Sequence, residues 1–158
     1  MESKILTLLK KWYGDPAKHM ELRHYSLFKE LSAYELRLVH KYLHSREFKA
    51  GELIFEEGFP LEVIYFIVAG EVQVSGFANC RGPQVLKRHK FIGVIDLFDQ
   101  AKRLSTATAL TDVSLLALSE RDFWELVNKN RALGIKLLAA CCRFLDRYLL
   151  ESAPTSQP

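Results

Sequence analysis

The chain has 158 residues, of which 49% are hydrophobic, and its formal net charge at pH 7 is +3. This hydrophobic content excludes a wholly disordered chain, and the length suits one domain with short extensions. The slight positive charge argues against a nucleic-acid partner, because nucleic-acid-binding domains concentrate far more lysine and arginine on one face.

Helical patterns flank a central block of short strands. Residues 1–48 and 119–150 have the spacing of helices, and residues 49–118 have that of strands and turns. Helices on both sides of a strand block indicate the α+β class. The predicted organisation is an N-terminal amphipathic helix with a linker over 1–24, a domain over 25–150 and a flexible tail over 151–158.

The first predicted helix runs from Ser3 to Tyr13, with Ser3 as its cap and Gly14-Asp15-Pro16 as its end. It carries apolar residues beside the basic Lys4, Lys10 and Lys11. A basic amphipathic helix is suited to a membrane surface. The simpler interpretation is that its apolar face packs on this domain or on a partner protein.

A second helix is predicted from a capping box, in which Ser32 is followed three residues later by Glu35. Leu36, Val39 and Leu43 then recur at helical spacing, so we expect this helix to end near Ser45.

Short strands separated by glycine turns follow the second helix. A loop is expected from Phe77 to Pro83, where Asn79, Gly82 and Pro83 interrupt the pattern. Many short strands of this kind favour a jelly roll or a barrel. The predicted strands are residues 46–48, 52–55, 63–68, 71–75, 85–88, 106–109 and 113–118.

Two helices are predicted after the strands, one from Ser119 to Asn128 with Ser119 as its cap and a longer one from Arg131 to Leu150. The longer helix has a broad apolar face, which includes Leu138, Leu145 and Leu149. Two uses of this face remain open: it caps the strand block only, or it also forms a homodimer.

The stretch from Gly93 to Thr106 resembles the phosphate-binding cassette of the cyclic nucleotide-binding domain family. That cassette consists of Gly-Glu-apolar-small-Leu, a short helix, and an Arg followed by small residues, and here Gly93 and Arg103 have the matching spacing. The stretches Gly51–Gly58 and Ile64–Val74 are similar to the barrel signature of the same family. Together with the flanking helices, the resemblance covers roughly residues 25–150.

This resemblance implies an eight-stranded, jelly-roll-like β-roll between N- and C-terminal helices, with a cyclic nucleotide such as cAMP or cGMP held inside. The family includes transcription regulators, kinase regulatory subunits and channel gating domains, in which ligand binding repositions the C-terminal helices. In many relatives the last helix dimerises, so we favour a homodimer. We expect a stand-alone sensor or adaptor.

The resemblance also implies the ligand-binding residues and shows two departures from the family pattern. An Arg suits a cyclic phosphate because it offers paired N–H donors, and amides at the start of a short helix supply others. Val94 replaces the Glu that accepts a hydrogen bond from the ribose 2′-hydroxyl, and Leu104 stands where a small residue is preferred. Arg103 has an alternative role as a surface cation paired with Asp96 or Asp99. The implied ligand-binding residues are Gly93, Val94, Ile95, Arg103, Leu104 and Ser105.

Other functions have weaker signals. His40 and His44 are four residues apart, which suits two metal ligands on one helix face, but no third ligand is evident and we expect no metal site. We find no nucleophile and base pattern typical of an enzyme. Cys80, Cys141 and Cys142 form no disulfide framework and favour the reducing cytoplasm. The longest apolar run is too short to span a bilayer.

The sequence therefore predicts a non-enzymatic, cytoplasmic regulatory or scaffolding module whose ligand binding is altered or lost, with a cyclic nucleotide or another small anion as the possible ligand. A first alternative is a functional cAMP or cGMP sensor that signals through its C-terminal helices. A second is a membrane-surface or partner-binding adaptor that uses its N-terminal helix.

Overall fold

Short strands form two four-stranded antiparallel sheets in the computed structural model, which describes residues 18–76, 82–98 and 102–152. The predicted helix Ser3–Tyr13 lies outside the described residues. The strands are β1 (His44–Phe48), β2 (Leu53–Phe55), β3 (Val63–Ala69), β4 (Val72–Ser75), β5 (Gln84–Leu86), β6 (Phe91–Ile92), β7 (Thr106–Ala109) and β8 (Val113–Ser119). The helices are α1 (Ala33–His40), α2 (Glu120–Lys129) and α3 (Arg131–Ser152), with 3₁₀ turns at Lys18–His24 and Asp96–Phe98.

The first sheet has the order β1-β8-β3-β6 and the second has the order β2-β7-β4-β5. Alternate residues of β3 explain how the layers stack, because successive strand side chains point to opposite faces. Ile64 and Phe66 pack with the helices in one core, whereas Ile67 packs with Val72 and Leu115 in a second core. The first sheet thus lies between the helices and the second sheet, and the predicted α+β β-roll with flanking helices is confirmed.

The capping box at the start of α1 is confirmed. The Ser32 Oγ accepts a hydrogen bond from the Glu35 N–H at 3.2 Å, and the Glu35 Oε2 accepts one from the Ser32 N–H at 2.7 Å. The prediction that this helix ends near Ser45 is wrong, since α1 ends at His40. The reason is tertiary: from His44 onward the chain pairs with β8, and His44 lies opposite Ala117.

Helices α2 and α3 meet at a very close contact. Gly134 of α3 lies so near Val127 of α2 that an added Cβ would lie 2.4 Å from the Val127 carbonyl oxygen. Asn130 joins the two helices: its N–H donates to the Leu126 carbonyl, and its Oδ1 accepts from the Leu133 N–H at 3.1 Å. Both predicted C-terminal helices are therefore confirmed, and their junction has no room for a side chain at Gly134.

An ion pair joins α1 to α3. The Lys136 Nζ donates to the two carboxylate oxygens of Glu35 at 3.0 and 2.8 Å, and Glu35 is only 6% exposed. Burial acts to raise the pKa of Glu35, but hydrogen bonds from Lys136 and Ser32 outweigh it, so the pKa lies below its usual value. The negative charge of Glu35 thus stabilises both the helix start and its contact with α3.

Replacing this carboxylate should destabilise the domain in a pH-dependent way. We expect Glu35→Gln to lower the free energy of unfolding by about 1 kcal/mol at pH 7, because the amide keeps the capping bond but loses the charge. A carboxylate with a depressed folded-state pKa stabilises above its unfolded pKa, and this contribution disappears as the pH falls through the folded pKa. Urea unfolding at pH 7 and in acid measures the difference.

The matched control is Glu30→Gln, because Glu30 also pairs with α3, through Arg143 at 3.4 Å, but both side chains are more than half exposed. This substitution should change stability by a few tenths of a kcal/mol at most. An equal effect of both substitutions at pH 7 would contradict the role assigned to Glu35.

Candidate ligand-binding site

The cassette begins directly after β6 and turns through the 3₁₀ segment Asp96–Phe98 before β7 begins at Thr106. The Leu97 N–H donates to the Val94 carbonyl at 3.3 Å, which closes the first turn. On its return, the backbone N–H of Arg103 donates to the Phe59 carbonyl at 2.8 Å. The first bond turns the chain after β6, and the second holds the end of the cassette against the turn between β2 and β3.

Arg103 is buried and binds groups of its own chain. Its Nη2 donates to the Val63 carbonyl at 2.5 Å, and its Nη1 lies 3.4 Å from the Asp96 Oδ2. The guanidinium carbon lies 3.8 Å from the centroid of the Phe55 ring, which is a cation–π contact. The predicted alternative of an Asp96–Arg103 pair is thus present, but the pair is buried and does not lie on the surface.

Asp96 links the two ends of the cassette. Besides the contact with Arg103, its Oδ1 accepts a hydrogen bond from the Leu104 N–H at 3.1 Å. Burial raises the pKa of Asp96 and lowers the pKa of Arg103, and the attraction between the two groups opposes both changes. Each charge therefore depends on the other, since removing one partner of a buried pair leaves an uncompensated buried charge.

A cavity of about 450 Å³ lies between the second sheet, the cassette and the end of α3. Four of the predicted residues line it, namely Gly93, Val94, Ile95 and Ser105. The described lining also includes His24, Ser26, Val74, Gln84, Leu86, His89, Lys90, Phe91, Ile92, Asp96, Phe144, Arg147, Tyr148 and Glu151.

The two remaining predicted residues lie elsewhere. Arg103 lines a separate hollow of about 280 Å³, together with Phe55 and Tyr65. Leu104 lines neither space, and its N–H is already bound to Asp96. Within the described part of the chain, the cavity therefore has the shape of a ligand site while the arginine expected to bind an anion faces another way.

Sequence reasoning missed several lining residues and had a signal for one of them. Asp96 occupies the position where the cassette has a small residue, and this substitution is the visible sign that Arg103 has a partner within the chain. No local pattern indicated His24, His89 or Arg147, because they come from three distant segments that only the fold brings together.

Metal ligation has no support in the described residues. Within 18–76, 82–98 and 102–152, no three histidine, cysteine, aspartate or glutamate side chains form a group that could hold an ion. No helix in these same ranges is both long enough and apolar enough to cross a bilayer.

Comparison with known proteins identifies similar chains. The family model described as "Cyclic nucleotide-binding domain" matches residues 45–130. The chain is 28% identical over 130 residues to the Cyclic AMP receptor protein of Thermus thermophilus, covering 79% of this chain and 59% of that protein. It is 32% identical over 104 residues to a cyclic nucleotide-gated potassium channel of Mesorhizobium japonicum, covering 66% and 28%.

A solved structure shows the same fold. The N-terminal domain of a transcriptional regulator from Streptomyces coelicolor superposes with a TM-score of 0.69 at 27% identity, covering 86% of this chain and 97% of that domain. The chain thus matches nearly the whole of that solved domain, whereas it spans less than two thirds of the length of the two curated relatives.

Gly93 has a backbone φ of +103°, and an added Cβ would lie 2.6 Å from the Arg103 Nη1. Gly58 provides a matched control, because its φ is +84° and an added Cβ would contact nothing within 4 Å. We expect Gly58→Ala to lower the free energy of unfolding by about 1 kcal/mol through backbone strain. Gly93→Ala should lower it by about 1 to 2 kcal/mol more, because Phe55 and Val63 hold the guanidinium in place.

Chemical denaturation of the two variants measures this difference. Equal losses would show that the guanidinium moves aside freely, which would contradict the fixed position of Arg103.

Proposed function

Because the chain belongs to the cyclic nucleotide-binding domain family, we propose that it is a regulatory or scaffolding module without catalytic activity, in which cyclic nucleotide binding is altered or lost. One observation carries this proposal: the Arg103 guanidinium is bound to Asp96 and to the Val63 carbonyl and does not line the cavity. The free cysteines Cys141 and Cys142 support the cytoplasmic location that we propose with it.

The binding of a cyclic nucleotide would carry two energetic costs, one at its phosphate and one at its ribose. Arg103 would have to leave Asp96, and breaking a buried pair costs about 3–5 kcal/mol when one charge stays uncompensated. Val94 is only 1% exposed and offers no acceptor to a ribose hydroxyl, which costs about 1–3 kcal/mol. The second term alone corresponds to a roughly ten- to hundredfold loss of affinity.

The relatives support a regulatory role and keep one alternative open. They include a cAMP receptor protein, a cyclic nucleotide-gated channel and cAMP-dependent kinase regulatory subunits. These names favour a working cAMP or cGMP sensor as the second candidate, in which ligand binding would displace Arg103 from Asp96. The adaptor hypothesis concerns Ser3–Tyr13, which lies outside the described residues, and it stays a prediction.

Direct binding of cyclic nucleotides separates the two candidates. We expect calorimetry with cAMP and cGMP to give a Kd weaker than about 100 µM for the natural chain. The double variant Val94→Glu/Asp96→Ala should bind at least tenfold more tightly, because it restores the ribose acceptor and releases Arg103.

Two single variants serve as controls for this binding experiment. Val94→Glu alone leaves the Arg103 pair intact and should recover only a small part of the affinity. The proposal is wrong if the natural chain binds either nucleotide at micromolar concentration and Arg103→Ala abolishes that binding.

We also propose that the module forms a homodimer through α3. Ile135, Leu138, Cys142, Leu145 and Leu149 follow a 3-4-3-4 spacing, which is the seam of a coiled coil. Ile135 and Leu149 are 63% and 67% exposed, and Cys142 is exposed as well. A second copy of this helix is the partner that such a seam fits.

Cys142 lies at the centre of this seam, so in a symmetric pair it faces its own copy whether the helices are parallel or antiparallel. Mild oxidation should therefore give a covalent dimer of twice the 18.2 kDa chain mass. Cys141 should not contribute, because burial raises the pKa of its thiol to about 12.

Cys142→Ser should remove the cross-link while Cys80→Ser keeps it, and Ile135→Asp/Leu149→Lys should yield monomers in light scattering. A natural chain that stays monomeric at high concentration would rule out the dimer.

A further inference from the structure

We propose that the cavity beneath α3 binds an amphipathic monoanion, an organic molecule with an apolar body and a single carboxylate or sulfonate group that lies against Lys90 and Arg147. The inference rests on the proposed function, because it assigns a different ligand class to the same cavity once Arg103 is engaged by Asp96.

The walls of the cavity fit an apolar body. Val74 and Leu86 come from the second sheet, Phe91 and Val94 flank the start of the cassette, and Phe144 closes the space from α3. The Phe144 ring lies 4.7 Å from the Phe91 ring between centroids, so the helix contacts the opposite wall directly. A volume of about 450 Å³ lies in the range that holds small organic ligands.

The charge at the cavity opening favours an anion. Lys90 precedes β6, and Arg147 lies on α3. Both side chains are exposed, and neither forms an ion pair with any residue that the structure describes. Two carboxylates also line the cavity, but Asp96 is neutralised by Arg103, which leaves Glu151 alone. Two cations against one uncompensated carboxylate leave the lining with one excess positive charge.

Two histidines lie side by side in the same lining. The His24 and His89 rings stack with centroids 4.8 Å apart and an interplanar angle of 23°. Burial and the neighbouring Arg88 and His24 lower the pKa of His89, so this ring stays uncharged at neutral pH. A neutral imidazole donates one N–H, and such a donor suits an anionic oxygen without adding charge.

Arg147 connects the ligand to the helix. It shares the cavity lining with Phe144, Tyr148 and Glu151, all from the last turns of α3. An anion held between Lys90 and Arg147 would therefore bridge the strand layer and α3 by charge-assisted hydrogen bonds.

A pair of fluorescent probes with the same kind of aromatic body tests the preference. 1-Anilinonaphthalene-8-sulfonate carries one negative charge, whereas N-phenyl-1-naphthylamine carries none. Titration into the natural chain should give saturable binding of one sulfonate probe per chain, at least tenfold tighter than the neutral probe. Leu86→Trp, which fills the cavity from β5, should remove the saturable signal.

Charge variants locate the anion. Lys90→Gln and Arg147→Gln should each weaken sulfonate binding by about two- to tenfold and leave the neutral probe unchanged. Arg143→Gln is the matched control, because Arg143 lies one turn earlier on α3, pairs with Glu30 and does not line the cavity. Circular dichroism of each variant should show the spectrum of the natural chain, because the substituted side chains are exposed.

Three results would overturn the inference: no saturable sulfonate binding, equal affinity for the two probes, or equal effects of Arg147→Gln and Arg143→Gln. The failure of the proposed function has a different signature, because it requires micromolar binding of cAMP or cGMP that depends on Arg103.

Discussion

The ion pair between Asp96 and Arg103 determines how the rest of the site is arranged. Neither charge is stable alone in the interior, so the carboxylate and the guanidinium must stay together, and each forms one further hydrogen bond, to the Leu104 N–H and to the Val63 carbonyl respectively. Because this pair ties the cassette to β3, the arginine that was expected to face a phosphate forms an internal cross-link. The cavity keeps its shape but loses its expected anion-binding group.

The fold then decides which other groups can act in that cavity. The first sheet separates two cores, and the last turns of α3 line the cavity, where the Phe144 ring contacts the Phe91 ring. This packing brings side chains from the first 3₁₀ turn, the β5–β6 connection and α3 around one space. The positive charge that remains there comes from Lys90 and Arg147, at the opening and away from the cassette. The proposed change of ligand class thus depends on one substitution at the small position of the cassette.

Local patterns predicted most of the elements because short-range chemistry determines them. The capping residues Ser32 and Ser119 mark the starts of α1 and α2, a β-branched and aromatic run marks β3, and a leucine-rich apolar run marks β8. The predicted end of α1 near Ser45 is wrong, and the two-residue strand β6 was not predicted. Both features depend on pairing with strands that are distant in sequence. The direction of Arg103 was equally hidden, since it depends on Phe55 and Val63, which lie 48 and 40 positions away.

The contact between Gly134 and Val127 has a mechanical consequence. Because their backbones touch, α2 and α3 meet in a tight elbow, and α3 extends from this elbow as a lever of about 27 Å at 1.5 Å per residue. A rotation of roughly 10° at the elbow would carry the far end of α3 by about 5 Å. A small change in helix direction near Asn130 would therefore become a larger displacement at Arg147 and along the apolar seam. The absence of a side chain at Gly134 allows the close contact with α2 and so places the pivot of this lever at the start of α3.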